Sequence, residues 1–340
     1  MKILITGGCG FLGSNLASDA LLNGDDVLVF DNLSRFGSSK NLEWLNKQGK
    51  LTFQYGDIRN FNDIKRAVSL FNPDVVYHLA GQVAMTTSIE NPRLDFEINV
   101  QGTINLLESV RNLSTDILVI YSSSNKVYGD LESFTYKEEE TRYECLSALN
   151  GFDESLKINF HSPYGCSKGA ADQYVLDYAK TFGMSTIVFR HSSMYGGRQF
   201  STYDQGWVGW FCQVALQRAR DNKAEPFTIS GTGKQVRDLL HASDMKKLYR
   251  LAILNSDKAK GQVFNIGGGS KNSLSILELI NVLERRLNLR LNYKKIDFRF
   301  GDQKYFVADI CKAKRILGWE PEVSNEDGIS GLIEWIDEII

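Results

Sequence analysis

What this 340-residue chain lacks narrows its function first. It has no excess of charge: 39 Lys and Arg against 41 Asp and Glu leave a formal net charge of -2. That balance gives no electrostatic footprint for nucleic acid or an anionic membrane, and neither is expected as a partner. Its one short acidic run, Glu138, Glu139 and Glu140, reads as a solvated face. Cysteines are few, odd in number and scattered (Cys9, Cys145, Cys166, Cys212 and Cys311), with no CxxC pair. Such a pattern argues against a disulfide framework or a zinc site and for reduced thiols. The 4 histidines are as dispersed, so no metal is expected. No apolar run approaches the ~18 residues that span a bilayer. The first residues, MKILITGG, enter an apolar strand with no basic segment or cleavage site before it. A soluble, cytoplasmic protein is expected.

What is there is a rhythm. Short runs rich in Val, Ile and Leu (2–6, 26–30, 51–55, 74–80, 116–123, 185–190 and 262–268) alternate with amphipathic stretches such as FLGSNLASDALLNG and DIKRAVSLF. Strands apolar on both faces and separated by helices predict a parallel sheet covered on both sides. After about residue 190 the rhythm loosens and glycine clusters separate shorter helices. The expected fold is α/β: a Rossmann-type doubly wound parallel sheet over 1–190, then a smaller α/β substrate domain over 191–340, with a segment near 262–268 returning to the first. The 34 residues between Gly129 and Tyr164 read as part of a lid.

GGCGFLG places Gly7, Gly10 and Gly13 directly after the first strand and at the opening of the first helix. A tight turn there lets backbone approach a pyrophosphate, and the helix N-terminus offers it partial positive charge. Asp31 closes the second strand, where a carboxylate binds adenosine ribose hydroxyls and disfavours a 2′-phosphate. NAD is the expected cofactor. Asp57 follows the third strand, and Leu79, Ala80 and Gln82 follow the fourth, all on the edge where a doubly wound sheet gathers ligand contacts.

In HSPYGCSKGAADQY, Ser162 and Pro163 make a helix start. Tyr164 and Lys168 then share one helix face at i and i+4. To act as a base near pH 7, a tyrosine needs about 4 kcal/mol of preferential stabilisation of its phenolate. Lys168 and a positive nicotinamide ring are the expected sources. Ser124, ending the fifth strand, completes a hydride-transfer trio. Trp207, Trp210 and Phe211 are spaced for one helix face, and core packing is the favoured reading.

Together the TGGxGFLG start, the terminal Asp of strand two, the SSSxxVYG strand end and the SPYGxSK helix resemble the extended short-chain dehydrogenase/reductase family. RDLLHASD (237–244), RFGD (299–302) and KAKRILGWxP near the end are similar to that family too, so the resemblance spans the chain. It implies sugar-nucleotide chemistry, with Arg237 and Arg299 on a pyrophosphate and Asp302 near the nucleoside. It adds Phe11, Leu12, Asn32, Ser34, Arg35, Ile58, Asn99 and Ser122 to the cofactor contacts, alongside Tyr164 and Lys168. Substrate contacts would be Met85, Thr86, Ser124, Ser193, Gln205 and Val208. Family 4,6-dehydratases carry an Asp-Glu pair at the strand end; Asn125 and Lys126 stand there instead, and neither an amide nor an ammonium can serve as that acid/base pair. Epimerisation or simple oxidoreduction remains. Stretches such as AGQVAMTTS, YSSSNKVYGDLE and TYDQGWVGWF are similar to epimerases of CDP-sugars in bacterial O-antigen synthesis. A CDP-sugar substrate and a homo-oligomer, dimer or tetramer, are implied. A UDP-hexose 4-epimerase and a non-catalytic NAD-binding regulator stay open as alternatives.

Overall fold

A computed structural model describes residues 1–221 and 226–340. Seven strands form the central sheet: β1 (Lys2–Thr6), β2 (Asp26–Asp31), β3 (Thr52–Tyr55), β4 (Val75–His78), β5 (Leu118–Ser124), β6 (Thr186–His191) and β7 (Gln262–Ile266). They lie in the order β7-β6-β5-β4-β1-β2-β3, every pairing parallel. All seven sequence-predicted strands are present, each end within two residues of the expected one. The order reverses between β1 and β4, and that switch point opens a crevice at the carboxyl ends of the strands.

Six helices position the site: α1 (Phe11–Leu22), α2 (Phe61–Phe71), α3 (Gly102–Arg111), α4 (Pro163–Phe182), α5 (Trp207–Arg220) and α6 (Ala242–Leu254). The two faces of each strand supply separate cores, because side chains alternate along it. Ile3, Ile5, Val27 and Val29 pack with Leu16 of α1 and with Met245 and Leu248 of α6. Leu4, Leu28 and Val76 pack instead with Ile64 and Val68 of α2, Leu106 of α3 and Val175 of α4.

The C-terminal half builds a second, smaller body. Strand Val236–His241 pairs in parallel with Ser193–Tyr195 and Tyr305–Phe306, and antiparallel with Ser273–Ser275. Helix α5 packs with helices Ile276–Leu287 and Asn325–Ile339 around Phe211, Cys212, Leu279 and Leu332. Strand β7 leaves this half and pairs along β6, Phe264 opposite Phe189.

The segment after Gly129 is not a lid among the described residues. Its hairpin, Tyr136–Glu138 with Tyr143–Cys145, carries Cys145 into a core with Phe152, Val236 and Phe306. The Phe152 carbonyl accepts from Asn265 Nδ2 at 2.9 Å, so this segment is fixed to β7. All five cysteines are unpaired. Among the described residues no group of three or more His, Cys, Asp or Glu could hold a metal ion, and no helix is long and apolar enough to cross a membrane.

Candidate active site at the sheet switch point

Two clefts meet at Val83, which lines both. The first enfolds about 1170 Å³ of open space along the carboxyl ends of β1, β2 and β4. Its floor is the turn between β1 and α1. Gly7 sits at φ +68°, and a Cβ there would lie 2.7 Å from the Ala80 amide nitrogen. A Cβ on Gly13 would lie 2.2 Å from the Gly7 carbonyl oxygen. Side chains are thus excluded, and a ligand can approach bare backbone at the N-terminus of a 12-residue helix.

Asp31 lines this cleft. Its carboxylate accepts from the Cys9 amide at 2.9 Å and the Leu33 amide at 2.7 Å. Burial pushes Asp31 above the usual carboxylate range, against those backbone bonds. Asp57 is held at about 2, chiefly by the hydrogen-bonded guanidinium of Arg59, while Asn32 Nδ2 donates to it at 3.2 Å. Arg35 reaches into the same cleft with a buried Nη2 that has no hydrogen-bond partner. A glycine cradle, an acidic side chain at the end of β2 and a guanidinium nitrogen without a hydrogen-bond partner fit a dinucleotide.

Of the cofactor contacts expected from the sequence, Gly7, Gly10, Phe11, Leu12, Gly13, Asp31, Asn32, Ser34, Arg35, Asp57, Ile58, Leu79, Ala80 and Ser122 line the cleft. Gln82, Asn99, Tyr164 and Lys168 do not line it. Asn99 lies in a π-turn, Glu97–Gln101, just before α3. Its Nδ2 donates to Ser167 Oγ at 2.9 Å, and its Oδ1 accepts from the Gln82 amide at 2.9 Å, joining α4 to the loop after β4. Sequence reasoning missed Asn41, Arg198, Gln199 and Phe200, which also line the cleft. Arg198 stacks its guanidinium over Trp44 and Phe200 and donates to Asn41 Oδ1 at 2.9 Å, strapping the YGGRQF segment across the opening.

The second cleft runs under the smaller body. Met85, Ser193, Arg237, Arg299 and Asp302 line it as expected, with Asn125, Lys126, Tyr203, Trp207, Trp210 and Phe211. The core-packing expectation holds, with Phe211 inside the core of the smaller body and Trp207 and Trp210 packed against it. The same side chains also face the cleft, where Trp207 Nε1 donates to Ser193 Oγ at 3.1 Å. Four of the expected substrate contacts, Thr86, Ser124, Gln205 and Val208, do not line this cleft. Val208 is 1% exposed and buried in the core between α5 and its neighbouring helices, one helix step round from Trp207. Gln205 lines the first cleft rather than the second, since the strap crosses there. Thr86 lines neither, and its Oγ1 is buried beside α4 without a partner. Arg237 donates through Nη2 to Asp302 Oδ1 at 2.6 Å and through Nη1 to the Gln303 carbonyl at 2.8 Å. Arg299 packs over the Tyr203 ring and donates to its carbonyl at 3.0 Å.

Ser124, Tyr164 and Lys168 line neither cleft; Ser124 lies in the chain at the ridge between Ser122, which lines the first, and Asn125, which lines the second. Helix α4 begins where the sequence predicts: Ser162 Oγ accepts from the Gly165 amide at 3.1 Å and proline takes the first helical position. Tyr164 and Lys168 are 8% and 5% exposed, both on the buried face. Lys168 Nζ donates to the Ser122 carbonyl at 2.6 Å and lies over the Tyr121 ring. Burial draws its ammonium down to about 8, opposed by Asp95 and Asp172. Tyr164 departs from expectation. Burial pushes it up to about 12, against a hydrogen bond with Ser124, and Lys168 is not among the groups that lower it. The chain alone therefore keeps Tyr164 a phenol at neutral pH.

Residues 4–332 match the family model described as GDP-mannose 4,6 dehydratase. The chain belongs to this family of extended short-chain dehydrogenases/reductases. Within the family it is 59% identical over 339 residues, all of both chains, to the CDP-paratose 2-epimerase of Salmonella typhi. The UDP-glucuronic acid 4-epimerase of Bacillus cereus, solved with UDP-glucuronic acid and NAD, is similar in structure at a TM-score of 0.85 and 28% identity, covering 100% of both chains. The UDP-glucose 4-epimerase of Thermotoga maritima, solved with UDP-glucose, gives 0.83 and 30%, covering 100% of this chain and 99% of that one. Relatives in the family thus include sugar-nucleotide epimerases that match from end to end.

Proposed function

We propose that this protein is an NAD-dependent isomerase that inverts carbon 2 of CDP-paratose, giving CDP-tyvelose for O-antigen synthesis. The observation that carries the substrate is the 59% identity, over 100% of both chains, to an enzyme of that name. The site agrees with it chemically. At the ridge a hydroxyl pair and a lysine meet, and the two residues after Ser124 are an amide and an ammonium rather than two carboxylates. That set can move a proton and a hydride but lacks the acid/base pair for eliminating water.

Paratose is a 3,6-dideoxy sugar, so carbon 3 is a methylene and no 3-keto intermediate is available to acidify the hydrogen on carbon 2. Inversion then requires hydride removal at carbon 2 itself. The first cleft, with its Gly7–Gly13 turn and Asp31, would hold NAD, which when bound would supply the hydride acceptor and donor and a positive ring that favours a phenolate. Tyr164 takes the proton of the 2-hydroxyl and returns it, while Ser124 shares the hydrogen bond to that oxygen. Arg237 and Arg299 hold the diphosphate as the flat 2-keto sugar turns over and presents its other face. A fixed tail and a mobile head are what inversion needs. The cofactor contacts are those lining the first cleft, residues 1–190 forming most of the dinucleotide-binding unit and 191–340 most of the sugar-nucleotide unit. Homo-oligomerisation and a cytoplasmic location belong to the same proposal.

Proton NMR of purified protein mixed with CDP-paratose, with no NAD added, tests the reading. A new anomeric signal growing to a fixed ratio supports both the substrate and a retained cofactor. No change with NAD supplied, alongside turnover of a UDP-hexose, assigns the protein to the 4-epimerases instead.

A further inference from the structure

We propose that Lys126 is a substrate-positioning residue: its ammonium holds the sugar-side phosphate of the nucleotide diphosphate and fixes the pivot about which the sugar turns. The inference rests on the sugar-nucleotide reading of the second cleft.

Lys126 lines that cleft with its side chain 15% exposed. Nζ donates to the Gly301 carbonyl at 3.2 Å and stands 3.6 Å from Asp302 Oδ1. The same Oδ1 accepts from Arg237 at 2.6 Å. Two cations thus converge on one carboxylate oxygen, and Arg299 lines the same wall. Against Lys126, Arg237 and Arg299 the lining sets the carboxylates of Asp302 and Asp204, which leaves one positive charge in excess in a place largely screened from water. Burial draws the Lys126 ammonium down to about 8, with Asp302 opposing and Arg237 adding to the fall. A diphosphate carries the charge this constellation lacks, and its adjacent phosphates can engage both cations at once through charge-assisted hydrogen bonds.

Placement in the chain gives Lys126 a role distinct from that of the arginines. It lies two residues after Ser124 on a single 3₁₀ turn, Asn125–Tyr128, and its amide donates to Ser124 Oγ at 3.2 Å. Asn125 Nδ2 donates to Gln303 Oε1 at 3.2 Å, binding the turn to the loop that carries Asp302. Lys126 is therefore the cation tied most directly to the reacting hydroxyl. A phosphate held by it sits at a set distance from Ser124, so a sugar rotating about its bond to that phosphate keeps carbon 2 within reach of Tyr164 in both orientations. Arg237 and Arg299, on the other body, hold the nucleotide side.

Calorimetric titration of the NAD-loaded wild type, K126M and K126R with CDP, CMP, UDP and UMP tests this. The wild type should bind CDP more tightly than CMP. In K126M, CDP binding should weaken roughly tenfold or more while CMP binding stays within about twofold, and K126R should recover most of the loss. Retained CMP binding shows that K126M is folded. Equal losses for CDP and CMP, or no loss for either, overturn the proposal and leave Lys126 a tie between the turn and the 301–302 loop. Preference of the wild type for UDP over CDP fails the CDP reading alone, because the diphosphate-against-monophosphate comparison then decides Lys126 on the uridine pair.

Discussion

Replacing Arg190 by Met tests what holds helix α4, and with it Tyr164 and Lys168, in register with β5. Arg190 on β6 donates to both oxygens of Asp172, Nε at 2.9 Å and Nη2 at 2.8 Å. Asp172 follows Lys168 by one turn of α4, and Ser123 Oγ donates to it at 2.8 Å from β5. The pair is 3% and 0% exposed. Removing one partner of a buried, hydrogen-bonded pair costs about 3–5 kcal/mol, because the other charge is left stranded. Unfolding entropy near 2.1 cal/mol/K per residue gives about 0.7 kcal/mol/K for a chain of 340 residues. The loss in R190M thus corresponds to a fall in melting temperature of roughly 4–7 °C, read by scanning calorimetry. In R190M/D172L the stranded charge is gone, and at least half of the fall should be regained. A fall below about 1 °C in R190M, or a double variant no more stable than the single one, refutes the reasoning.

Three further outcomes are expected. G13A forces a Cβ to within 2.2 Å of the Gly7 carbonyl, so the β1–α1 turn must shift; the purified protein should carry much less NAD than wild type, and unchanged NAD content after acid release counts against the cradle. Y164F should lower turnover by roughly 10²–10⁴-fold while CDP binding holds within about threefold; near-normal turnover removes Tyr164 from the chemistry. Lys168 sits at about 8 in the folded chain against 10.5 for an ordinary lysine, so the folded state holds fewer protons between those values and stability rises with pH there. Wild type should therefore gain melting temperature relative to K168M from pH 7.5 to 9.5, and a difference that ignores pH contradicts the depressed value.

The strands, the switch point and the helix that carries Tyr164 and Lys168 were legible because each rests on local pattern. Apolar runs such as KILIT and DILVIYSS declare buried strands, glycine spacing declares a phosphate turn, and Ser-Pro before Tyr-xxx-Lys declares both a helix start and its reactive face. What the sequence hid depends on partners far along the chain. Arg198 reads as one arginine in a glycine-rich loop until Trp44 and Asn41 are brought beneath it. Lys126 reads as the absence of an acid until the loop carrying Asp302 folds against it. Helical spacing grouped Trp207, Trp210 and Phe211 correctly as core packing, but spacing alone cannot show that the same side chains also face a cleft. Val208 shows the same limit from the other side, for one helix step turned it inward. The tyrosine's titration was misjudged because the i,i+4 spacing suggested an ammonium aimed at the phenol, whereas Lys168 is spent on the Ser122 carbonyl.

The most direct test of the central claim uses CDP-paratose carrying deuterium at carbon 2, incubated with the purified protein in ordinary water. Inversion by removal and return of the same hydride predicts CDP-tyvelose that keeps its deuterium at carbon 2, seen by mass spectrometry and by the missing H2 signal in the proton spectrum. Product that has exchanged the label for solvent hydrogen, or substrate that stays unconverted with NAD bound, contradicts the account.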